Sequence, residues 1–231
     1  TQHNVAIYIA NGHGAWEASI RNILNPGDKA LVLVTGRFGE NWGLMAEGLG
    51  VDVEYVDFGN SNTADPNKIE EILRQDTEGN IKAVMTVQTD TATSVSNNIR
   101  ELRHSIDAAN HDALFMVDCI ASLGCERFEM DAWGVDVTVT ACQKGLMTPP
   151  GLGFVFFNDR AEEVRAKMPR VSRYWDWTPR GHAEEFFQYH GGTAPTHHIY
   201  GLRAALDLIH GEGLENVWQR HAVLARAVWA A

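Results

Sequence analysis

The chain has 231 residues, of which 45% are hydrophobic, and a net charge of −11 at pH 7. This length and composition indicate a globular protein with a sizeable core, arranged as one large α/β domain or two small ones. The acidic balance argues against nucleic-acid binding, and no apolar stretch is long enough to predict a membrane span.

Apolar runs and helical spacings alternate along the chain. The strand-like segments are NVAIYIANG (4–12), KALVLVTG (29–36), VDVEYVDFG (51–59), IKAVMTVQT (81–89), ALFMVDCIAS (113–122), VDVTVTAC (135–142) and LGFVFFND (152–159). The helical segments are GAWEASIRNIL (14–24), ENWGLMAEGLG (40–50), DPNKIEEILRQ (65–75), SNNIRELRHSIDAANH (96–111), RAEEVRAKM (160–168), THHIYGLRAALDLIHGE (196–212) and LENVWQRHAVLARAVWAA (214–231). EMDAWG (129–134) is interpreted as a single helical turn, and residues 169–193 as a polar, aromatic loop.

This alternation predicts an α/β fold with a mainly parallel sheet and helices on both faces, in three layers. The strand at 152–159 is compatible with an antiparallel partner. Asp65 followed by Pro66 is a strong helix-start signal. Because parallel sheets bind ligands at the carboxyl ends of their strands, the residues just after each strand are the candidates for a site.

The loop Asn11-Gly12-His13-Gly14 follows the first strand and leads into a helix. Glycines and free N–H groups at a helix start suit a phosphate, although an ordinary tight turn has the same pattern. The loop is not a dinucleotide-binding fingerprint, because Glu17 occupies the third glycine position. An NAD-binding domain is therefore disfavoured.

Two further strand ends carry residues suited to a flat, oxygen-rich ligand. Phe38 lies between two glycines after the second strand and is placed to stack on a ring, or to be a partly buried loop aromatic. Thr91 belongs to a cluster of hydroxyls after the fourth strand, which either contact a ligand oxygen or cap the next helix.

Asp118 and Lys144 are charged residues in or next to apolar runs. A buried carboxylate is unfavourable without a partner, and an amine desolvated at a strand end becomes nucleophilic toward carbonyl groups. The alternatives are a structural polar network for Asp118 and a solvated turn residue for Lys144. Pyridoxal phosphate uses both groups, a lysine for its aldehyde and an aspartate for its ring nitrogen, and also suits the other candidates.

The three cysteines, Cys119, Cys125 and Cys142, favour a reducing compartment over a disulfide framework, so we expect a cytoplasmic protein. The histidines show no HExxH pattern and the cysteines no CxxC pattern, so no metal site is predicted.

Four segments together resemble the class V aminotransferases, which are fold-type I pyridoxal-phosphate enzymes. They are ANGHGAWEASIRNILNPGDKALV, VDCIASLG, GVDVTVTACQKGLMTPPGLGFV and GLRAALDLIHGEGLENVWQRH, and the resemblance covers nearly the whole chain. Within that family the chain is most similar to serine–glyoxylate and alanine–glyoxylate aminotransferases. The resemblance implies transamination of serine or alanine with glyoxylate or a similar 2-oxo acid.

The resemblance also implies roles for individual residues. Lys144 would form the Schiff base and carry the proton, and Asp118 would hold the ring nitrogen. The remaining implied cofactor contacts are Asn11, Gly12, His13 and Gln143 at the phosphate, Phe38 and Ile120 on the two ring faces, Thr91 at the ring hydroxyl, and Thr193 at the phosphate of a neighbouring subunit in a homodimer.

The sequence departs from the family where ETSTG is usual, since this chain has DTATS at 90–94. Residues 1–231 are interpreted as the cofactor-binding large domain, without the N-terminal segment and C-terminal small domain of the family. Two alternatives stay open. One is another reaction on the same scaffold, such as a lyase or desulfurase, and the other is a truncated domain that binds cofactor without turnover.

Overall fold

The computed structural model describes residues 4–231, which form one seven-stranded sheet flanked by helices. The strands are β1 (Asn4–Tyr8), β2 (Lys29–Val34), β3 (Asp52–Asp57), β4 (Ile81–Val87), β5 (Leu114–Asp118), β6 (Val137–Ala141) and β7 (Gly153–Phe157). The helices are α1 (Gly12–Ile23), α2 (Arg37–Gly48), α3 (Pro66–Gln75), α4 (Ile99–Ala108), α5 (Asp159–Ala166), α6 (Thr178–Gly181), α7 (Thr196–Glu212) and α8 (Leu214–Trp229), with a short 3₁₀ helix at Phe186–His190.

The strand order in the sheet is β1-β7-β6-β5-β4-β2-β3. Strands β2 to β6 pair in parallel, whereas β7 is antiparallel to both β1 and β6. The predicted mainly parallel sheet is confirmed, and β7 has the antiparallel pairing that its sequence allowed.

Side chains alternate across the strands and build a separate core on each face of the sheet. On one face, Trp16 and Ile20 of α1 and Trp42 of α2 pack against residues such as Val32 and Met116. On the other face, α3 and α4 contribute their apolar stripes, as at Ile69 and Ile106. Helices α7 and α8 cover a third cluster around Leu152 and Phe154. The predicted three-layer arrangement is confirmed.

Most element boundaries follow local signals in the sequence. Asp65 caps α3 by accepting a hydrogen bond from the Asn67 N–H at 2.9 Å, as predicted. Helix α4 begins at Ile99 rather than at Ser96, because the Asn98 side chain caps it. The segment 129–134 forms the predicted single helical turn, closed by a hydrogen bond from the Trp133 N–H to the Glu129 carbonyl at 2.9 Å. None of the helices within residues 4–231 has the length and apolarity needed to cross a bilayer.

The predicted loop at 169–193 is more ordered than its polar sequence indicates, because it contains α6 and the 3₁₀ helix. Its centre is Arg180, which is only 2% exposed. The guanidinium donates to the carbonyls of Ile7 and Tyr174 at 2.8 and 2.9 Å and lies over the rings of Tyr8 and Tyr174. The Arg180 side chain therefore connects this segment to edge strand β1, which leads into α1.

Candidate active site

A cavity of about 210 Å³ opens at the carboxyl edge of the sheet, between the starts of α1 and α2 and the ends of β4, β5 and β6. Its lining residues are Asn11, Gly12, His13, Trp16, Phe38, Val87, Thr89, Thr91, Asp118, Ile120, Ala121, Gln143 and Lys144. The structure thus brings together all the predicted site residues except Thr193, which is exposed and lies outside this cavity. Its predicted contact with a neighbouring subunit stays a prediction.

The first wall of the cavity is the N-terminus of α1. The Asn11 side chain caps this helix by accepting from the N–H groups of His13 and Gly14 at 3.1 and 3.3 Å. The first turn carries no acidic residue, so the positive end of the helix dipole faces the cavity without a compensating charge. Gly12 leaves room for Ile120, because a Cβ at this position would displace the end of the Ile120 side chain.

The floor of the cavity holds Asp118, the last residue of β5, which is 2% exposed. Its carboxylate accepts hydrogen bonds from the Trp16 indole N–H at 2.8 Å and from the Ile120 N–H at 2.6 Å. Among residues 4–231 no cationic side chain forms an ion pair with it. It is a buried carboxylate with hydrogen-bond donors but without an ion-pair partner among the described residues.

The electrostatics of Asp118 follow from this burial. Desolvation raises the pKa of Asp118 from 3.8 to about 7, and the nearby Asp90 carboxylate adds to that rise. The two hydrogen bonds and the charge of Lys144 act in the opposite direction. A cation placed next to this carboxylate would oppose the effect of desolvation and lower the pKa of Asp118 again.

Lys144 enters the cavity from the loop between β6 and β7. The loop closes on itself, because Cys142 N donates to Leu152 O at 3.0 Å and Thr148 N donates to Cys142 O at 3.1 Å. The Lys144 side chain is exposed, so the sequence-based expectation of a desolvated amine is wrong for the chain by itself. The reason is that β6 ends at Ala141 and Lys144 lies beyond it, on the rim.

Sequence reasoning missed Trp16 as a site residue and placed it only in the predicted helix at 14–24. It packs in an aromatic row, with its ring stacked on Trp42 at 6.1 Å and edge-on to Phe38 at 6.2 Å. Gly12 and Trp16 are four residues apart in one helix and so share a face. That spacing is the signal that would have found Trp16.

Phe38 lies in the first turn of α2 and not in a loop after β2. It is partly buried and packs against the core beside α1. Thr91 is exposed on the loop that follows β4, and its neighbour Thr89 donates a hydrogen bond to Glu126 at 2.7 Å. Phe38 and Thr91 therefore line the same cavity from two separate chain segments.

Comparison with known proteins gives the family. The family model for class-V aminotransferases matches residues 3–230. The chain belongs to the class-V aminotransferase family. It is 42% identical to a serine–glyoxylate aminotransferase of Methylorubrum extorquens, over 98% of this chain and 58% of that protein. It is also 40% identical to an L-aspartate–glyoxylate aminotransferase of Paracoccus denitrificans, over 100% of this chain and 58% of that protein.

The fold of this class-V aminotransferase chain is similar to that of solved family members. A crystal structure of an alanine–glyoxylate aminotransferase from Nostoc sp. superposes with a TM-score of 0.91 at 29% identity, covering 100% of this chain and 60% of the other. The chain thus spans about three fifths of the length of these relatives. The family and fold predicted from the sequence are confirmed.

Proposed function

We propose that this chain is the cofactor-binding part of a pyridoxal-phosphate-dependent aminotransferase that transfers the amino group of serine or alanine to glyoxylate or a similar 2-oxo acid. The observation that carries the proposal is that Lys144 and Asp118 line one cavity together with the uncompensated N-terminus of α1. A nucleophilic amine, a buried carboxylate and an anion site are the groups that this cofactor needs.

The residues present fit the cofactor. Asp118 is a buried carboxylate without a cationic partner in the described part of the chain, which suits a protonated ring nitrogen. The Gln143 Oε1 atom is buried, and no described residue hydrogen-bonds to it. Rotation of that amide exchanges its oxygen and nitrogen, so Gln143 supplies an N–H donor to a phosphate.

Bound pyridoxal phosphate supplies an aldehyde that condenses with amines and a ring that accepts electrons from a substrate carbon. Lys144 provides the amine that holds the aldehyde between turnovers. With the cofactor bound, the Lys144 Nζ atom would move a proton between the substrate Cα and the cofactor carbon that carries the aldehyde. Its exposed, unbranched side chain has the freedom that this movement needs.

The other lining residues hold the ring and its phosphate. Asp118 accepts the ring N–H, while the Trp16 hydrogen bond keeps the carboxylate in place. Phe38 and Ile120 would hold the two ring faces, and Thr91 would contact the ring hydroxyl. The phosphate is held by Asn11, Gly12, His13 and Gln143, and, in the proposed homodimer, by Thr193 of the neighbouring subunit.

The substrate assignment rests on the relatives. Serine–glyoxylate and L-aspartate–glyoxylate aminotransferases are similar to this chain at 42% and 40% identity. Glyoxylate occurs in both names and is therefore a better supported substrate than serine or alanine. A cytoplasmic location remains part of the proposal, and the three cysteines are free thiols.

A desulfurase reaction is disfavoured by the positions of the cysteines. Cys119 and Cys142 are buried and Cys125 is partly buried, and none of them lines the cavity. Burial raises the pKa of the Cys119 thiol well above its usual range, which opposes thiolate chemistry.

The test is to load the chain with pyridoxal phosphate, reduce it with borohydride and map the labelled peptide. The expected label is on Lys144 and is lost in Lys144→Ala. Lys82→Ala is the matched control, because Lys82 is an exposed lysine at the start of β4, outside the cavity. A label spread over Lys29, Lys68, Lys82 and Lys167 would refute the proposal. Turnover of serine with glyoxylate then distinguishes an aminotransferase from a domain that only binds cofactor.

A further inference from the structure

Asp90 is a fully buried carboxylate that lies just behind the cavity and does not line it. It belongs to the loop after β4, but its side chain reaches the start of α2. Its Oδ2 atom accepts hydrogen bonds from the N–H groups of Phe38 at 2.8 Å and Gly39 at 3.1 Å. In the described part of the chain it forms no ion pair, so its charge is compensated by the positive end of α2.

Helix α2 depends on this distant carboxylate because it has no cap of its own. Its N-cap residue is Gly36, which makes no side-chain hydrogen bond. The glycine also makes room, since a Cβ at Gly36 would overlap the Asp90 carboxylate. Asp90 therefore does for α2 what an N-cap side chain does in other helices, from 52 residues along the chain.

The same carboxylate also shapes the loop that carries Thr91. Its Oδ1 atom accepts from the Ala92 N–H at 2.9 Å, and the Asp90 backbone pairs with Val95 and Ser94. The loop is thus closed tightly on both sides of Thr91. One side chain joins the segment that bears Phe38 to the segment that bears Thr91.

We infer that Asp90 is a positioning residue that sets the Phe38 ring and the Thr91 hydroxyl against a bound pyridine ring. This inference rests on the proposed function. Asp90 has no contact with the ligand, and acts by fixing two backbone segments that do. Loss of its hydrogen bonds loosens both contacts at once, although every lining residue is still present.

Two variants, one at Asp90 and one at the start of α2, test whether Asp90 positions Phe38 and Thr91. Asp90→Asn keeps the shape but replaces one acceptor oxygen with an N–H donor that faces other donors. Gly36→Ala keeps the aspartate at position 90, but the added Cβ would overlap its carboxylate and push it aside. Asp65→Asn is the matched control, because Asp65 is an exposed helix cap on α3 that does not line the cavity.

Two quantities are measured, the amide hydrogen exchange of Phe38 and Gly39 without cofactor and the dissociation constant for pyridoxal phosphate. In Asp90→Asn and Gly36→Ala, we expect faster exchange and a dissociation constant about tenfold higher, with altered visible circular dichroism of the bound cofactor. Asp65→Asn should change neither quantity. The exchange measurement still reports on the second variant if the first does not fold.

Faster exchange with unchanged cofactor affinity would reduce Asp90 to a helix cap and overturn the inference. Unchanged exchange in both variants would also overturn it. If wild type takes up no pyridoxal phosphate, the proposed function fails, and the assignment of Asp90 fails with it. If wild type binds and both variants bind equally well, only the assignment of Asp90 fails.

Discussion

Two buried aspartates on neighbouring strands differ in their surroundings. Asp118 ends β5 at the carboxyl edge of the sheet, and Asp136 precedes β6 at the amino edge, with 2% and 1% of their surfaces exposed. Asp136 accepts from the Phe115 N–H and the Asn158 amide, each at 2.8 Å, and forms an ion pair with Arg160 at 3.0 Å. Asp118 has two hydrogen-bond donors and no ion pair within residues 4–231.

The comparison shows that burial alone does not mark a functional carboxylate. The fold supplies Asp136 with two cations, Arg160 at 3.0 Å and Arg103 at 3.6 Å, which offset part of the cost of desolvation. At Asp118 that cost is offset less, by two hydrogen bonds and no ion pair, at a place where a ligand can supply a positive charge. The same residue type is therefore structural at one edge of the sheet and a candidate catalytic group at the other.

The largest expected difference is in activity. Asp118→Asn should lower kcat/KM for transamination by about 10²- to 10³-fold, because an amide cannot stabilise the protonated ring nitrogen. Asp136→Asn, measured per folded molecule, should stay within a few-fold of wild type. Steady-state kinetics with serine and glyoxylate, on samples with matched cofactor content, make the measurement. Equal losses of kcat/KM in the two variants would contradict the proposed difference between Asp118 and Asp136.

The second prediction concerns the free energy of unfolding. Here Asp136→Asn, and not Asp118→Asn, should cause the larger loss of that free energy. Asp136→Asn should lower it by about 3 kcal/mol, because the Arg160 guanidinium loses its countercharge and the hydrogen-bond network is broken. The value lies at the low end of the range for buried pairs because Arg160 is itself 44% exposed. Urea unfolding of the cofactor-free chain provides the test, and a loss below about 1 kcal/mol would contradict it.

Much of the site could be predicted because its residues follow strands. In a parallel sheet the ends of β2, β4, β5 and β6 meet at one edge, so Phe38, Thr91, Asp118 and Lys144 are brought together by topology alone. Glycines and a helix start after β1 completed the prediction. These inferences needed only the type and the order of the elements.

The residues that were missed depend on side-chain directions across long sequence separations. The Trp16 bond to Asp118 spans 102 residues, and the Asp90 bond to Phe38 spans 52. Arg180 is buried by carbonyls and aromatic rings in a segment without periodicity, so its composition resembles that of a loop. The exposure of Lys144 depends on the path of a connecting loop, which hydrophobic pattern does not specify.

The third prediction uses the pH dependence of stability in the cofactor-free chain. The folded-state pKa of Asp118, about 7, lies above the ordinary value of 3.8, so the folded chain holds a proton that the unfolded chain releases. Stability is therefore lost as pH rises between these two values, and above about pH 7 the cost approaches about 4 kcal/mol. Asp118→Asn removes this cost but gives up part of one hydrogen bond, worth about 1–2 kcal/mol.

The variant should thus be less stable than wild type below about pH 4 and more stable, by about 2 kcal/mol, at about pH 8. Urea unfolding across this range measures the crossing, and Asp136→Asn serves as the control because it should be less stable than wild type at about pH 8, where Asp118→Asn should be more stable. If Asp118 is kept for a ligand, its substitution should stabilise the cofactor-free chain at high pH and at the same time lower kcat/KM. If Asp118→Asn destabilises at every pH, then the carboxylate has a compensating partner in solution, and the contrast with Asp136 does not hold.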